Sequence, residues 1–248
     1  MQTVSWLAYG ISNALTRTVV HFYPSAGNVT APYPAVCRLS LFGEGLERES
    51  ITVEGVRLSQ PDGIRVEDAF SVLKEGNAAL YGLSIELAIN QTRLDLSESL
   101  CVVELSSRIQ SARYWPARLP ENGTAETLPV GSALALKDGF STTSIVAVNN
   151  SSDCSFDTAL RYQVSSQHEE PATQSVALAA LAPGSAREFD LDEIAGANLY
   201  GEAAVQELGW GLARTRSLQL EPPKAPGQVY YVLYRDAVTR RPVSVSAL

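Results

Sequence analysis

The chain of 248 residues offers only two imidazoles, His21 and His168. Any reaction that needs a proton acceptor near neutral pH from histidine would rest on one of them. His21 lies in "VVHFYP", a strand-like run, and reads as a structural histidine; His168 lies in "SSQHEEP", a polar loop with acidic neighbours, and reads as solvated. A serine nucleophile on a sharp turn would show as G-x-S-x-G, which is absent. "GEGLER" and "GWGLAR" lack the further glycines, the lysine and the strand-to-helix setting of a phosphate loop. Asp190, Asp192 and Glu193 could offer oxygen ligands to calcium. Asp190 and Glu193, however, have the spacing of a capping box at a helix start, and the glycine-punctuated calcium loop is missing. Glu169 and Glu170 read as a solvated loop pair. The expectation is no catalytic residue, no metal and no cofactor.

A ligand surface is the chemistry the side chains supply better. Arg214, Arg216, Arg235, Arg240 and Arg241 give the C-terminal third a basic character, with Trp210, Tyr230, Tyr231 and Tyr234 close by in sequence. Arginine beside aromatic rings serves carbohydrate or nucleic acid through hydrogen bonds, charge and stacking. Trp210, Arg214, Arg216 and Arg235 are therefore the candidate ligand-binding residues. Against this stands period-two alternation, which would send some of those tyrosines into a core. The formal net charge of −8 and pI near 4.9 also repel a phosphate backbone, so nucleic acid is disfavoured as a partner.

The three cysteines have no metal-site spacing, and their odd number does not fit a complete disulfide framework. Cys37 in "PAVCRLSLF" and Cys101 in "ESLCVVEL" read as two buried free thiols; Cys154 in "NNSSDCSFD" reads as the exposed one. The separation of Cys37 and Cys101 would suit the inter-sheet bridge of an immunoglobulin domain, but the tryptophan and tyrosine-corner positions of that signature are empty.

The elements that must position these groups are strands. Phe156, Thr158, Leu160, Tyr162 and Val164 alternate with Asp157, Ala159, Arg161 and Gln163, which gives one dry and one wet face. "VYYVLYRD" and "RPVSVSAL" flank "AVTR" as a closing hairpin, and the first half has the same texture of short strands between turn signals. Helical signal is confined to "VEDAFSVLKEG", with Val66, Phe70 and Leu73 on one face and Gly76 as the stop, and to "FDLDEIAG". The fold expected is all-β.

The tripeptide "LYG" occurs at Leu80–Gly82 and again at Leu199–Gly201. Three letters prove nothing, but element order around them agrees: an apolar strand (Ala35–Leu41; Ser144–Asn150), a turn, an alternating strand and a Pro/Gly turn. A short acidic helix, "LYG", a "TR" strand and a last apolar strand (Leu100–Leu105; Val229–Tyr234) follow. The reading is two tandem antiparallel β-sandwich domains from an internal duplication, 1–112 and 128–248. The Pro-rich stretch 113–127 is the connector, with Trp115 expected to pack between the domains.

In the second copy, "SIVAVNNSSDCSFDTALRYQV" and "VALAALAPGSAREFDL" resemble bacterial immunoglobulin-like β-sandwich modules, in which an Asn-containing turn follows one strand and a Pro-Gly turn precedes another. With "FDLDEI", and "INQTRLD" in the first copy, the chain is also similar to the sensory-rhodopsin transducer family, here in tandem. That resemblance implies a self-associating interaction module without cofactor. The sequence reading is thus a non-enzymatic protein-interaction or assembly module, signalling or structural, whose partner is a second copy or another protein. A carbohydrate-binding module and a hydrolase or lyase using scattered carboxylates are the alternatives. The first basic residue is Arg17 and no stretch reaches membrane-spanning length, so a cytoplasmic protein is expected, with export of a trimmed form left open.

Overall fold

Alternation at period two, broken by Gly, Pro and Asn/Ser turns, produces strands almost throughout the computed structural model of the chain. The structure describes residues 2–23, 34–58, 62–74, 80–89, 100–120, 131–137, 139–164, 172–194, 204–208, 211–223 and 225–248. The first part of the chain forms β1 (Gln2–Ile11), β2 (Thr16–Tyr23), β3 (Pro34–Gly43), β4 (Leu46–Arg57), β5 (Ile64–Arg65), α1 (Val66–Ala69), α2 (Ser71–Lys74), β6 (Leu80–Ile89), β7 (Leu100–Ser107), β8 (Ser111–Tyr114) and β9 (Ala117–Leu119). The second part forms β10 (Gly131–Lys137), β11 (Ser141–Asn149), β12 (Phe156–Val164), β13 (Ala172–Leu181), β14 (Ser185–Asp190), α3 (Leu191–Ile194), β15 (Ala204–Leu208), β16 (Gly211–Leu220), β17 (Gln228–Asp236) and β18 (Pro242–Ala247).

All strand pairs are antiparallel and fall into four sheets. Sheet A has the order β4-β3-β6-β1-β9 and sheet B the order β5-β2-β7-β8; sheet C runs β10-β16-β12-β13, with β15 also on β16, and sheet D runs β14-β11-β17-β18. Read along the chain, β4-β3-β6-β1 and β13-β12-β16-β10 are the same order, and so are β5-β2-β7-β8 and β14-β11-β17-β18. The match expected from sequence is offset by one strand at its start. Ala35–Leu41 lies in β3, whose counterpart in order is β12, whereas Ser144–Asn150 lies in and just past β11, the counterpart of β2. Apolar content reports what covers a strand, and β11 is buried along both faces. Leu100–Leu105 in β7 and Val229–Tyr234 in β17 hold the same place in their sheets. The second "LYG" lies outside the described residues.

The sheets stack as B, A, D, C. Trp6 of sheet A meets Phe22 of sheet B in the first core, their ring centroids 6.0 Å apart. In sheet D, Ile145, Ala147, Tyr230 and Val232 join the second core, while the alternating Val146, Val148, Tyr231 and Leu233 join the first. The central strands of sheet D, β11 and β17, are therefore dry on both faces. β14 lies over β3 and β6, β11 over β1, and β18 runs beside β8. Each fully buried large side chain in such a layer contributes about 1.5–3 kcal/mol.

Two local devices fix this packing. Gly82 of the first "LYG" stands where a Cβ would lie 2.2 Å from the Phe42 ring, so the ring lies over the bare backbone. Asn149, fully buried, donates Nδ2 to the carbonyls of Cys154 (2.9 Å), Leu181 (3.0 Å) and Ala182 (3.2 Å), and so ties together the turns after β11 and β13. The short helix expected from Val66 forms as two single turns, α1 and α2, and the Gly76 stop lies outside the described residues. Phe70 between them is extended (φ −110°, ψ 119°), which seats Val66, Phe70 and Leu73 in the first core. The closing hairpin forms as β17 and β18.

The stretch 113–127 is not a connector throughout. Tyr114 ends β8 in sheet B and Ala117–Leu119 forms β9 on β1, so the chain crosses from one sheet of the first sandwich to the other here. Trp115 does not pack between the domains; it is 70% exposed at that corner. Its neighbours fill the layer instead: Tyr114 Oη donates to Tyr9 O and accepts from Tyr9 N, and Tyr231 Oη donates to Leu7 O and accepts from Ala117 N. Among the described residues no helix is long and apolar enough to cross a membrane.

Candidate functional site

Arg235 sits on β17 between the two sandwiches, 9% exposed. Its Nε and Nη2 donate to the two Glu188 oxygens at 2.7 and 2.6 Å, and Nη1 donates to the Arg240 carbonyl at 2.6 Å. The Tyr9 hydroxyl is buried close to this pair, and burial first, then the Glu188 carboxylate, raises its pKa well above the ordinary tyrosine value. Arg235 is thus committed inside the layer. Tyr230 and Tyr231 are buried in the two cores, and Tyr234 is half-buried with its hydroxyl donating to Leu134 O at 2.7 Å. Trp210 lies outside the described residues, as do the side chains of Arg214 and Arg216 on β16. His168, Glu169 and Glu170 also lie outside them.

Cys37 and Cys101 are free and buried, and Cys154 is free and exposed. Burial pushes the Cys37 thiol up to about 12 and raises Cys101 as well, and a hydrogen bond and charge from Asp153 raise Cys154. None of the three is an activated thiolate. Asp190 accepts from the Asp192 backbone N–H at 2.9 Å at the start of α3 and pairs with Arg240 at 2.6 Å, a structural double role. Among the described residues no three His, Cys, Asp or Glu side chains gather as a metal group.

His21 is 5% exposed on β2, on the face of sheet B turned away from the core. Its Nε2 stands 3.3 Å from Glu104 Oε2, which also accepts from Arg113 Nε at 2.7 Å. The turn before β5 roofs the imidazole: Gly63 has φ +59°, and a Cβ there would fall 2.8 Å from His21 Nδ1. Burial lowers the His21 pKa, and the Glu104 charge opposes this only in part. The ring is held neutral at the end of a Glu104–Arg113 pair.

This cluster borders a groove of about 480 Å³. Tyr23, Val102, Arg113 and Trp115 form the wall from the first sandwich, and Val245 and Ala247 of β18 form the wall from the second. Its apolar lining and its place at a junction of domains are what ligand sites commonly have. Sequence inspection passes over these residues because Tyr23 and Trp115 are far apart in the chain and meet only where β2, β8 and β18 converge. The one local signal was a tryptophan in a Pro-containing stretch.

The second exposed feature is an edge. β13 closes sheet C, and among the described residues no strand pairs with its far side. Its sequence "ATQSVALAAL" holds no charge and no proline over ten residues. β4, which closes sheet A at the equivalent place, carries Glu47, Arg48, Glu49, Glu54 and Arg57 and a left-handed Gly55 (φ +68°). Compared with models of known protein families the sequence matches none, and comparison with curated proteins gives no match either.

Proposed function

We propose that the chain is a non-enzymatic assembly module in which a duplicated β-sandwich associates with a second copy of itself. The observation that carries this reading is the bare edge of β13. A sheet edge presents unpaired N–H and C=O groups, and charges, proline or bulges ordinarily guard it, as they do on β4. β13 has none of the charges or proline, and its regular pairing with β12 over Ala172–Leu178 leaves a straight template for another strand. Antiparallel self-pairing centred on Ser175 would set Thr173 opposite Ala177 and Gln174 opposite Val176, with no like charges facing each other. On a molecule of net charge −8 a neutral strip is where two copies approach at least electrostatic cost. The repeated strand order supports duplication as the origin of the two sandwiches, and the immunoglobulin-like and transducer resemblances fit the same role.

Sedimentation of the purified chain tests this. A dimer is expected, and Ala177→Lys, which places a charge on the edge twice in a two-fold interface, is expected to weaken it by about tenfold or more. A strict monomer at the highest soluble concentration would overturn the proposal. A dimer indifferent to Ala177→Lys would move assembly to another surface.

A further inference from the structure

We propose that the groove between β8 and β18 binds a neutral saccharide, with sugar faces stacked on Trp115 and Tyr23 and hydroxyls hydrogen-bonded at Arg113. This inference stands apart from β13, which lies in a different sheet at the other end of the stack.

Trp115 is the first ground. It is 70% exposed, and Tyr23 on the same wall is 36% exposed. An exposed indole on a loose loop would mean little, but this one is clamped on both sides. Tyr114 before it exchanges hydrogen bonds with the Tyr9 backbone, and the N–H of Ala117 after it donates to Tyr231 Oη at 2.9 Å. The backbone that presents the ring is fixed by the layer between the sandwiches, so little conformational entropy is lost when a ligand stacks on it. Flat apolar C–H faces suit such rings, and hexoses carry those faces beside equatorial hydroxyls.

Charge is the second ground. Among the described residues that line the groove, the one charged side chain is Arg113, and its guanidinium is paired with the Glu104 carboxylate at 2.7 Å. His21 behind them is buried and neutral near pH 7, its pKa lowered. An anionic ligand would have to break this pair to take the guanidinium for itself. Arg113 engages Glu104 through Nε and its side chain is 59% exposed, which leaves the outer nitrogens able to donate to neutral hydroxyls. A pair of aromatic faces and a planar donor whose charge is already paired together point to a neutral, hydroxyl-rich and flat-faced ligand.

The test uses the intact chain. Cellohexaose, maltohexaose, xylohexaose and fully N-acetylated chitohexaose are titrated by calorimetry beside an acidic oligogalacturonide and a Leu/Phe-rich peptide. At least one neutral oligosaccharide is expected to bind saturably and with little dependence on salt. Trp115→Ala and Tyr23→Ala are each expected to weaken it by about tenfold, and Trp115→Phe is expected to retain most of the affinity. Both rings are exposed, so the variants should keep the parent's thermal midpoint, which is measured alongside. Failure of all four neutral sugars, affinity unchanged in Trp115→Ala, or preference for the acidic sugar or the peptide would each overturn the proposal.

Discussion

Sheets A and C share an order of strands and differ in what lies over them. On β1 of sheet A, Leu7 and Tyr9 would be the wet face of a lone sandwich, yet both are fully buried because sheet D covers them. On β10, the strand at the same place in sheet C, Leu134 is 48% exposed while its neighbour Ala135 is buried. Elsewhere on the outer face of sheet C, Arg161, Ser175, Ala177 and Gln219 are exposed. The same contrast runs along the edges, where β4 is charged and β13 is not. One topology therefore supports two kinds of surface: a sheet used to join the halves and a sheet whose outer face is exposed.

The largest expected difference between these surfaces lies in their ion pairs. In the layer between A and D, Glu188→Ala leaves the Arg235 guanidinium buried without its carboxylate, at a cost of about 3–5 kcal/mol. Arg161 on the outer face of sheet C also pairs with a glutamate, Glu221 at 2.5 Å, but is 53% exposed, and Arg161→Ala should cost less than about 1 kcal/mol. Denaturant unfolding of both variants measures the gap, and equal losses would break the comparison. A smaller difference separates two tyrosine hydroxyls. Tyr231→Phe strips partners from Leu7 O and Ala117 N inside the layer and should cost about 1–3 kcal/mol. Tyr162→Phe, which gives up only the 2.9 Å bond to the exposed Gln174, should cost about 1 kcal/mol or less.

The smallest effect is a pH response at His21 in the first sandwich. The folded-state pKa of His21 is lowered, so the unfolded chain takes up this proton first as pH falls. The stability linked to His21 is full above about 6.5 and is lost as pH drops through the depressed folded value. Glu67 slopes the other way. Burial raises its pKa, so the stability linked to it is full below the unfolded value and is lost as pH rises through the folded one. Unfolding midpoints are therefore best compared across pH in a Glu67→Gln background, where His21→Phe should flatten the remaining decline on the acid side. A decline unchanged by His21→Phe would assign the response elsewhere.

Much of this architecture is legible in residue order. Alternation from Phe156 to Tyr162 gives a strand with Phe156, Leu160 and Tyr162 inside and Asp157 and Arg161 outside, and that is how β12 packs. The turn at "AVTR" gives the last hairpin, and the apolar settings of Cys37 and Cys101 give two buried free thiols. Period, turn chemistry and hydrophobicity are local, and local rules decide which residues form strands and which face of each is dry. Tertiary structure decided everything that depends on a second layer. It turned Arg235 from a surface cation into a buried partner of Glu188, and it broke the helix at Phe70 to fill the first core. It also exposed Trp115 while burying the tyrosines around it, and it brought Tyr23 to a groove that Val245 and Ala247 close from the far end of the chain. A strand's second face carries no mark of its own: the same apolar residue is core or surface according to which sheet comes to rest against it, and that is settled only when the two sandwiches dock.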